Sequence, residues 1–293
     1  MQIAFFGLGN MGNPMATNLL KSGHSQLSVF DLDTAKGGNL IKLGAKWIDD
    51  IPATIAQADL IMTSLPGPIQ ISAFAEQSVF PHAKTGSTWI DLSTKTHATC
   101  HKLLAAATEK GMHFTDSPVS GGGEGARAGS LSIYVGGDEA VFKQHAAVYD
   151  AIGGDIKHLG QSGAGYAAKI SQVVLCYLHS IALSEALILG VKAGVDAAEM
   201  LNIIQNSTGR SYVADRYGPP ILNGDYDPSF ALGLALKDMK LAMELADTLG
   251  IALPMSALVT ETYQQACEAY GADANHLIAV KLLEDASGTP LRG

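Results

Sequence analysis

The first 23 residues constrain the possible folds of this chain more than any other segment. Ile3–Phe6 is a short apolar run, Gly7-x-Gly9-x-x-Gly12 follows it, and an amphipathic stretch then leads to Gly23, which suits a helix end. A strand that turns through spaced glycines into a helix belongs to a parallel α/β sheet. Gly7 permits the tight turn, Gly9 lets the main chain come close to a phosphate, and Gly12 lets the helix touch the strand. The N–H groups at the helix start and the helix dipole together form an anion site that needs no basic side chain. Gly7, Leu8, Gly9, Asn10, Met11 and Gly12 are therefore the expected partners of a dinucleotide pyrophosphate.

A second apolar run, Leu27-Ser-Val-Phe30, ends in Asp31, 19 positions after Gly12. An acid about 20 residues beyond the glycine turn is placed to accept hydrogen bonds from adenosine ribose hydroxyls. A carboxylate there repels a 2′-phosphate, so NAD is the expected cofactor and NADP the less favoured one. Capping of the next helix suits Asp33 or Thr34 better than Asp31.

At 293 residues the chain is long enough for two domains that each bury a core. A hydrophobic fraction of 47% and a charged fraction of 16% describe a compact soluble protein. The net charge of −9, with no basic run, argues against nucleic acid and membrane surfaces as partners. Cys100, Cys176 and Cys267 form no CxxC pair, which suits a reducing, cytoplasmic compartment. The first strand starts almost at Met1, so no secretory leader is expected. The most apolar long stretch, Ala164–Gly194, carries Lys169, Glu185 and Lys192 and reads as a buried helix rather than a membrane span.

Short apolar runs alternate with helical stretches through the first half. Strands are expected at Gln2–Phe6, Gln26–Phe30, Ala45–Ile48, Leu60–Ser64, Thr88–Asp91 and Met112–Thr115. This rhythm predicts a Rossmann-type, doubly wound, mostly parallel sheet. Leu131–Val135 and Ile156–Leu159 are expected to extend it. Ligands on such sheets sit beyond the carboxyl ends of the strands. After Gly160 strand signals vanish and helical periodicity takes over, with turns expected at Pro219-Pro220, Asn223-Gly224 and Gly250–Pro254. The expected organisation is a dinucleotide-binding domain over 1–162 and an all-α substrate and oligomerisation domain over 163–293.

Two further segments carry chemistry. Asp116-Ser-Pro-Val-Ser-Gly-Gly-Gly123 follows a strand, and Ser120 with the amides of Gly121 and Gly122 can form a nest of donors for a carboxylate. The bland alternative is a flexible glycine loop. At the start of the long helix, Lys169 and Gln172 stand three residues apart on one face, with Cys176 a turn later. A lysine held against apolar walls loses solvation, which draws its pKa toward the range useful for proton exchange. Taken alone, Lys169 reads as a snorkelling surface lysine.

These segments together resemble the β-hydroxyacid dehydrogenase family, which includes 3-hydroxyisobutyrate dehydrogenase and tartronate semialdehyde reductase. The resemblance runs over nearly the whole chain: GLGNMGNPMATNL at Gly7–Leu19, Leu65-Pro66, DLST at Asp91–Thr94, DSPVSGGGEGARAGSL at Asp116–Leu131, GAGYAAK at Gly163–Lys169 and LKDM at Leu236–Met239. It implies that Lys169 gives and takes the proton of the substrate oxygen, and that Ser120, Gly121 and Gly122 hold the substrate's acid group. It also implies that Leu65, Pro66, Thr94 and Lys237 line the dinucleotide site. The reaction implied is hydride transfer between NAD and a short β-hydroxy acid or the matching semialdehyde, with no metal called for.

The chain departs from the family pattern at Gln172, where Asn is usual, and at His97, where Pro is usual. Glutamine keeps the amide group but reaches one methylene further, which bears on the substrate rather than on the reaction class. Two other readings of the same fold, a catalytically silent dinucleotide sensor and an imine reductase, go with relatives that typically lack the lysine. His97 and His101 have a zinc-compatible spacing but no evident third ligand, so no metal site is expected. Arg210 is read either as a partner for a substrate acid or as a solvated loop residue. His179 and Glu185 are read as hydrogen-bonded packing residues, and Asp238 as a partner of Lys237 or Lys240. The long apolar helix has more hydrophobic circumference than one small domain covers, so a homodimer or homotetramer is expected.

Overall fold

The computed structural model describes all 293 residues. They divide into two compact units, Met1–Lys169 and Ile170–Gly293.

The first unit is built on six parallel strands: β1 (Ile3–Phe6), β2 (Leu27–Phe30), β3 (Lys46–Trp47), β4 (Leu60–Thr63), β5 (Thr88–Asp91) and β6 (His113–Asp116). Their order is β3-β2-β1-β4-β5-β6, so the winding reverses between β1 and β4. In that register Phe6 lies beside Phe30 on one side and Thr63 on the other. β1, β4 and β5 are buried along their whole length, because helices cover both faces and apolar runs therefore satisfy both. Phe5, Val29 and Met62 face one layer, while Ala4, Phe6, Ile61 and Trp89 face the other. The connecting helices are α1 (Gly12–Lys21), α2 (Gly38–Lys42), α3 (Ile51–Gln57), α4 (Pro68–Phe74), α5 (Phe80–His82) and α6 (His97–Glu109). Asp50 and Thr96 cap α3 and α6 with their side chains.

Beyond β6 the structure departs from expectation. Leu131–Val135 and the later run do not extend the parallel sheet but form a second sheet of three strands. These are β7 (Val119–Ser120), β8 (Leu131–Val135) and β9 (Gly153–His158), interleaved with α7 (Gly122–Ala128), α8 (Glu139–Gln144) and α9 (Ala146–Ile152). The order is β7-β8-β9, with β7 antiparallel and β9 parallel to β8. Composition explains the correction. Leu131, Ile133 and Val135 are buried and alternate with partly exposed Ser132 and Tyr134, the period of a one-sided sheet. β9 is polar and largely exposed, so it cannot serve as a doubly covered strand.

The second unit is helical. α10 (Ala164–Lys192) runs into it from the first unit, followed by α11 (Ala197–Gln205), α12 (Tyr212–Arg216), α13 (Gly218–Asn223), α14 (Leu232–Leu249), α15 (Pro254–Tyr270) and α16 (Ala279–Ser287). Its core gathers Leu187, Leu201, Ile221, Leu277, Val280 and Leu291. Asp196 caps α11 with its carboxylate, and Gly224 and Gly250 close α13 and α14 in the left-handed region. Pro219-Pro220 is not a turn, as expected, but opens α13, where the missing N–H groups cost nothing. α10 is long and apolar enough to cross a membrane, yet only 44% of its most apolar window is buried. Leu175 and Leu189 stand exposed on it, so within the single chain the expected buried helix is only partly covered. His179 and Glu185 are exposed as well, and are not packing residues.

Candidate functional site

The site begins where β1 ends, at the reversal of strand order. Gly7 has φ +94°, and a Cβ on it would overlap the carbonyl oxygen of Ser64, the residue after β4. A Cβ on Gly12 would overlap the carbonyl oxygen of Gly7. Gly9 differs, because a Cβ there would meet nothing within 4 Å. Two glycines thus close the turn, and the middle one leaves an open cradle at the start of α1. That vacant volume and the helix N-terminus fit a dinucleotide's pyrophosphate.

Asp31 sits just past β2. Its carboxylate accepts the Leu8 N–H at 2.7 Å and the Asp33 N–H at 2.9 Å, and it pairs with the Lys36 ammonium at 3.2 Å. Burial works against its charge, but those two amides and Lys36 outweigh it and hold the carboxyl below its usual range. The acid is therefore ionised at neutral pH and is tied to the glycine turn through Leu8. Asp33 caps the helical turn that follows. Lys36 was not foreseen; its only sequence signal is a cation five residues after an acid.

The loops after β4 and β5 are joined. The Leu65 N–H donates to Ser93 Oγ at 2.8 Å, and Thr63 Oγ1 donates to Asp91 at 2.8 Å. Leu65 and Thr94 are half-buried there and Pro66 is exposed, at the carboxyl edge of the sheet. Beside Thr94 lies a residue that sequence reasoning missed. Lys95 is fully buried and forms a 2.8 Å ion pair with Asp91, four positions earlier. Burial works against its charge, but the carboxylates of Asp91 and Asp116 prevail and hold the ammonium above its ordinary pKa. Burial above all, with the nearby carboxylates of Asp116 and Asp91, drives the neighbouring Cys100 thiol up to about 12, so it is inert near neutrality.

The glycine loop after β6 is an ordered structure. Ser120 ends β7, and Gly121 and Gly122 take positive φ values of 122° and 61° where α7 begins. α7 lies beside the dinucleotide turn: Asn18 Nδ2 of α1 donates to the Ala126 carbonyl at 2.8 Å. A Cβ on Gly123 would come within 3.7 Å of the Asn10 carbonyl. The start of α10 is fastened to the end of β6. Asp116, fully buried, accepts the Ser162 hydroxyl at 2.9 Å, the Gly163 N–H at 2.7 Å and the Tyr166 N–H at 2.9 Å. Lys169, one turn beyond Tyr166, is buried at 9% exposure and is not a surface lysine. Nearby, His97 and His101 bring their Nε2 atoms to 3.0 Å. Burial and the second imidazole lower the pKa of His97. No three His, Cys, Asp or Glu side chains gather as a metal-ligand group.

The remaining expected residues belong to the helical unit. Gln172 is half-buried on α10, three residues after Lys169. Lys237 pairs with Asp238 at 3.3 Å, and Asp238 accepts the Tyr177 hydroxyl at 3.3 Å. Arg210 is solvated and pairs with Asp215 at 2.9 Å within its own loop.

Known proteins resemble this chain over nearly its whole length. A family described as the NAD binding domain of 6-phosphogluconate dehydrogenase matches residues 2–160. One described as NAD-binding of NADP-dependent 3-hydroxyisobutyrate dehydrogenase matches residues 163–283. The chain is 38% identical to 2-(hydroxymethyl)glutarate dehydrogenase of Eubacterium barkeri, covering 100% of this chain and 98% of that one. It is 35% identical to 3-hydroxyisobutyrate dehydrogenase of Pseudomonas aeruginosa, over 94% of each. Among solved structures, Mycobacterium tuberculosis 3-hydroxyisobutyrate dehydrogenase with L-serine superposes with a TM-score of 0.88 at 31% identity, covering 97% of this chain and 99% of that one.

Proposed function

From the premise that this chain belongs to the β-hydroxyacid dehydrogenase family, a group of nicotinamide-dependent oxidoreductases, we propose that it transfers a hydride between NAD and a short β-hydroxy acid or the matching semialdehyde. The observation that carries this reading is the fastening of α10 to the carboxyl end of β6. It brings a buried lysine to the edge of the sheet where such folds bind dinucleotides. Bound NAD would supply the hydride acceptor. Gly7 to Gly12 would seat its pyrophosphate and Asp31 its adenosine ribose, with Leu65, Pro66, Thr94 and Lys237 lining the remainder.

Ser120 and the amides of Gly121 and Gly122 would hold the substrate carboxylate. Lys169 would take the hydroxyl proton in oxidation. In reduction its ammonium would stabilise the growing negative charge on oxygen and then protonate it, so the scheme calls for no metal. Gln172 would contact the substrate from the next turn of the same helix. The two relatives act, by their names, on acids bearing a hydroxymethyl group or a hydroxyl β to the carboxylate; the same substrate class is proposed here. The Asp31 charge favours NAD over NADP. Exposed Leu175 and Leu189 on α10 support a homodimer or homotetramer. The free thiols suit a reducing cytoplasm.

The test is NAD reduction over a panel of 3-hydroxyisobutyrate, 2-(hydroxymethyl)glutarate, 3-hydroxypropionate, glycerate and serine, for wild type and Lys169→Ala. The variant should lose about 10²–10⁴-fold in kcat and keep its NADH affinity. Near-normal turnover would remove the proton-transfer role. A monomeric elution volume on gel filtration would contradict the assembly.

A further inference from the structure

We propose that Asp116 is the positioning residue that holds Lys169 in register with the acid-binding turn. The inference rests on the reading of Lys169 as the proton-transfer group. Asp116 is the last residue of β6, and its main chain is fixed on both sides. Its N–H donates to the Gly136 carbonyl at 3.1 Å, and its own carbonyl accepts the Gly136 N–H at 2.8 Å. The side chain spends both oxygens on the start of α10: Oδ1 on Ser162 and Gly163, Oδ2 on Tyr166. Bonds of 2.7 and 2.9 Å from helix-terminal amides to a carboxylate are among the stronger ones available to a protein.

The surroundings leave the helix little freedom to sit elsewhere. A Cβ on Gly136 would lie 2.6 Å from Asp116 Oδ1. One on Gly165 would overlap the Tyr134 carbonyl and lie 2.6 Å from that of Asp116. Two glycines thus permit the carboxylate to reach the helix. Lys169 follows Tyr166 by three residues, so the tether holds the turn directly before it. Ser120 follows Asp116 by four residues in the chain. One side chain therefore links the group meant to hold the substrate acid, through peptide bonds, with the amine meant to move its proton, through hydrogen bonds. Lys95, buried against Asp91, supplies a positive charge that feels Asp116 too.

A misplacement of about 1 Å at a reacting centre costs about 10²-fold in rate. Asp116→Asn puts an amide NH₂ against either the Gly163 or the Tyr166 N–H, setting donor against donor. We expect kcat on the best panel substrate to fall about 10²-fold, with NADH affinity by fluorescence titration within about twofold of wild type. Ser162→Ala removes one donor of three and should lower kcat a few-fold. The decisive readout is the double variant Lys169→Ala/Asp116→Asn. A residue acting through Lys169 costs nothing further once Lys169 is gone. Wild-type kcat per NADH-binding site in Asp116→Asn would overturn the inference. So would a double variant slower than Lys169→Ala by the full single-variant factor. If Asp116→Asn fails to fold, Ser162→Ala decides, and wild-type kcat there overturns the inference. Near-normal turnover in Lys169→Ala would end the proton-transfer reading, and this one with it. Loss there without loss in Asp116→Asn would end this inference alone.

Discussion

The turn after β1 and the junction after β6 lie at the same edge of the same sheet, yet opposite means hold them. The first is shaped by missing side chains: Gly7 and Gly12 allow backbone to touch backbone, and Gly9 leaves space. The second is shaped by a buried charge, Asp116, whose partners come 46 to 50 residues later. A binding cradle made of main chain depends on local spacing. A reacting group on another element needs a side-chain tether to bring it into place. The helical unit uses the second device again: Asp227 lies 2.9 Å from His276 Nε2, 49 residues away, and both are buried.

The largest effect that sharpens this contrast is expected within the glycine turn itself. Gly12→Ala has no room and should cost several kcal/mol, or abolish folding. Gly9→Ala should leave the melting temperature unchanged while weakening NADH binding at least tenfold, as read by fluorescence titration. Equal melting losses in both variants would erase the distinction between closing and cradling glycines.

A smaller effect is expected at the tether in the helical unit. The hydrogen bond with His276, followed by those of Ser229, holds the Asp227 carboxyl down to about 2, against burial. Its folded pKa lies below the unfolded value, so its contribution is complete above about pH 4 and disappears as pH falls toward 2. After discounting for screening this is roughly 1–2 kcal/mol. Urea unfolding between pH 5 and pH 2 should show that loss in wild type and a flatter profile in Asp227→Asn. Parallel profiles would mean the pair is energetically idle.

The smallest effect concerns Lys36, which offsets part of the Asp31 charge. Lys36→Ala should raise the preference for NAD over NADP a few-fold, and Asp31→Asn should relax it. Unchanged ratios of kcat/KM in both variants would remove these two residues from cofactor choice.

Much of the fold was legible from residue order. The alternation of apolar runs with helical stretches marked all six strands of the parallel sheet, most plainly β1, β4 and β5, because doubly covered strands must be apolar throughout. The second sheet was misassigned because β9 is polar, and β7 is a two-residue strand hidden in a loop-like SPVSGGG segment. In the candidate site, Asp31 and Lys169 were visible by spacing and resemblance. Lys36, Lys95 and the tether role of Asp116 were not, since each is defined by what its charge meets in space.

Sequence alone determined the features that depend on neighbours in the chain: the glycine spacing, the acid after β2, the helix caps at Asp33 and Asp196, and the change from mixed to helical periodicity. Tertiary structure decided which charges are buried together and which side chain fastens the long helix to the sheet. The reason is physical: turn and capping energies are set within a few residues, whereas desolvated ion pairs and helix tethers exist only once distant segments exclude water from one another.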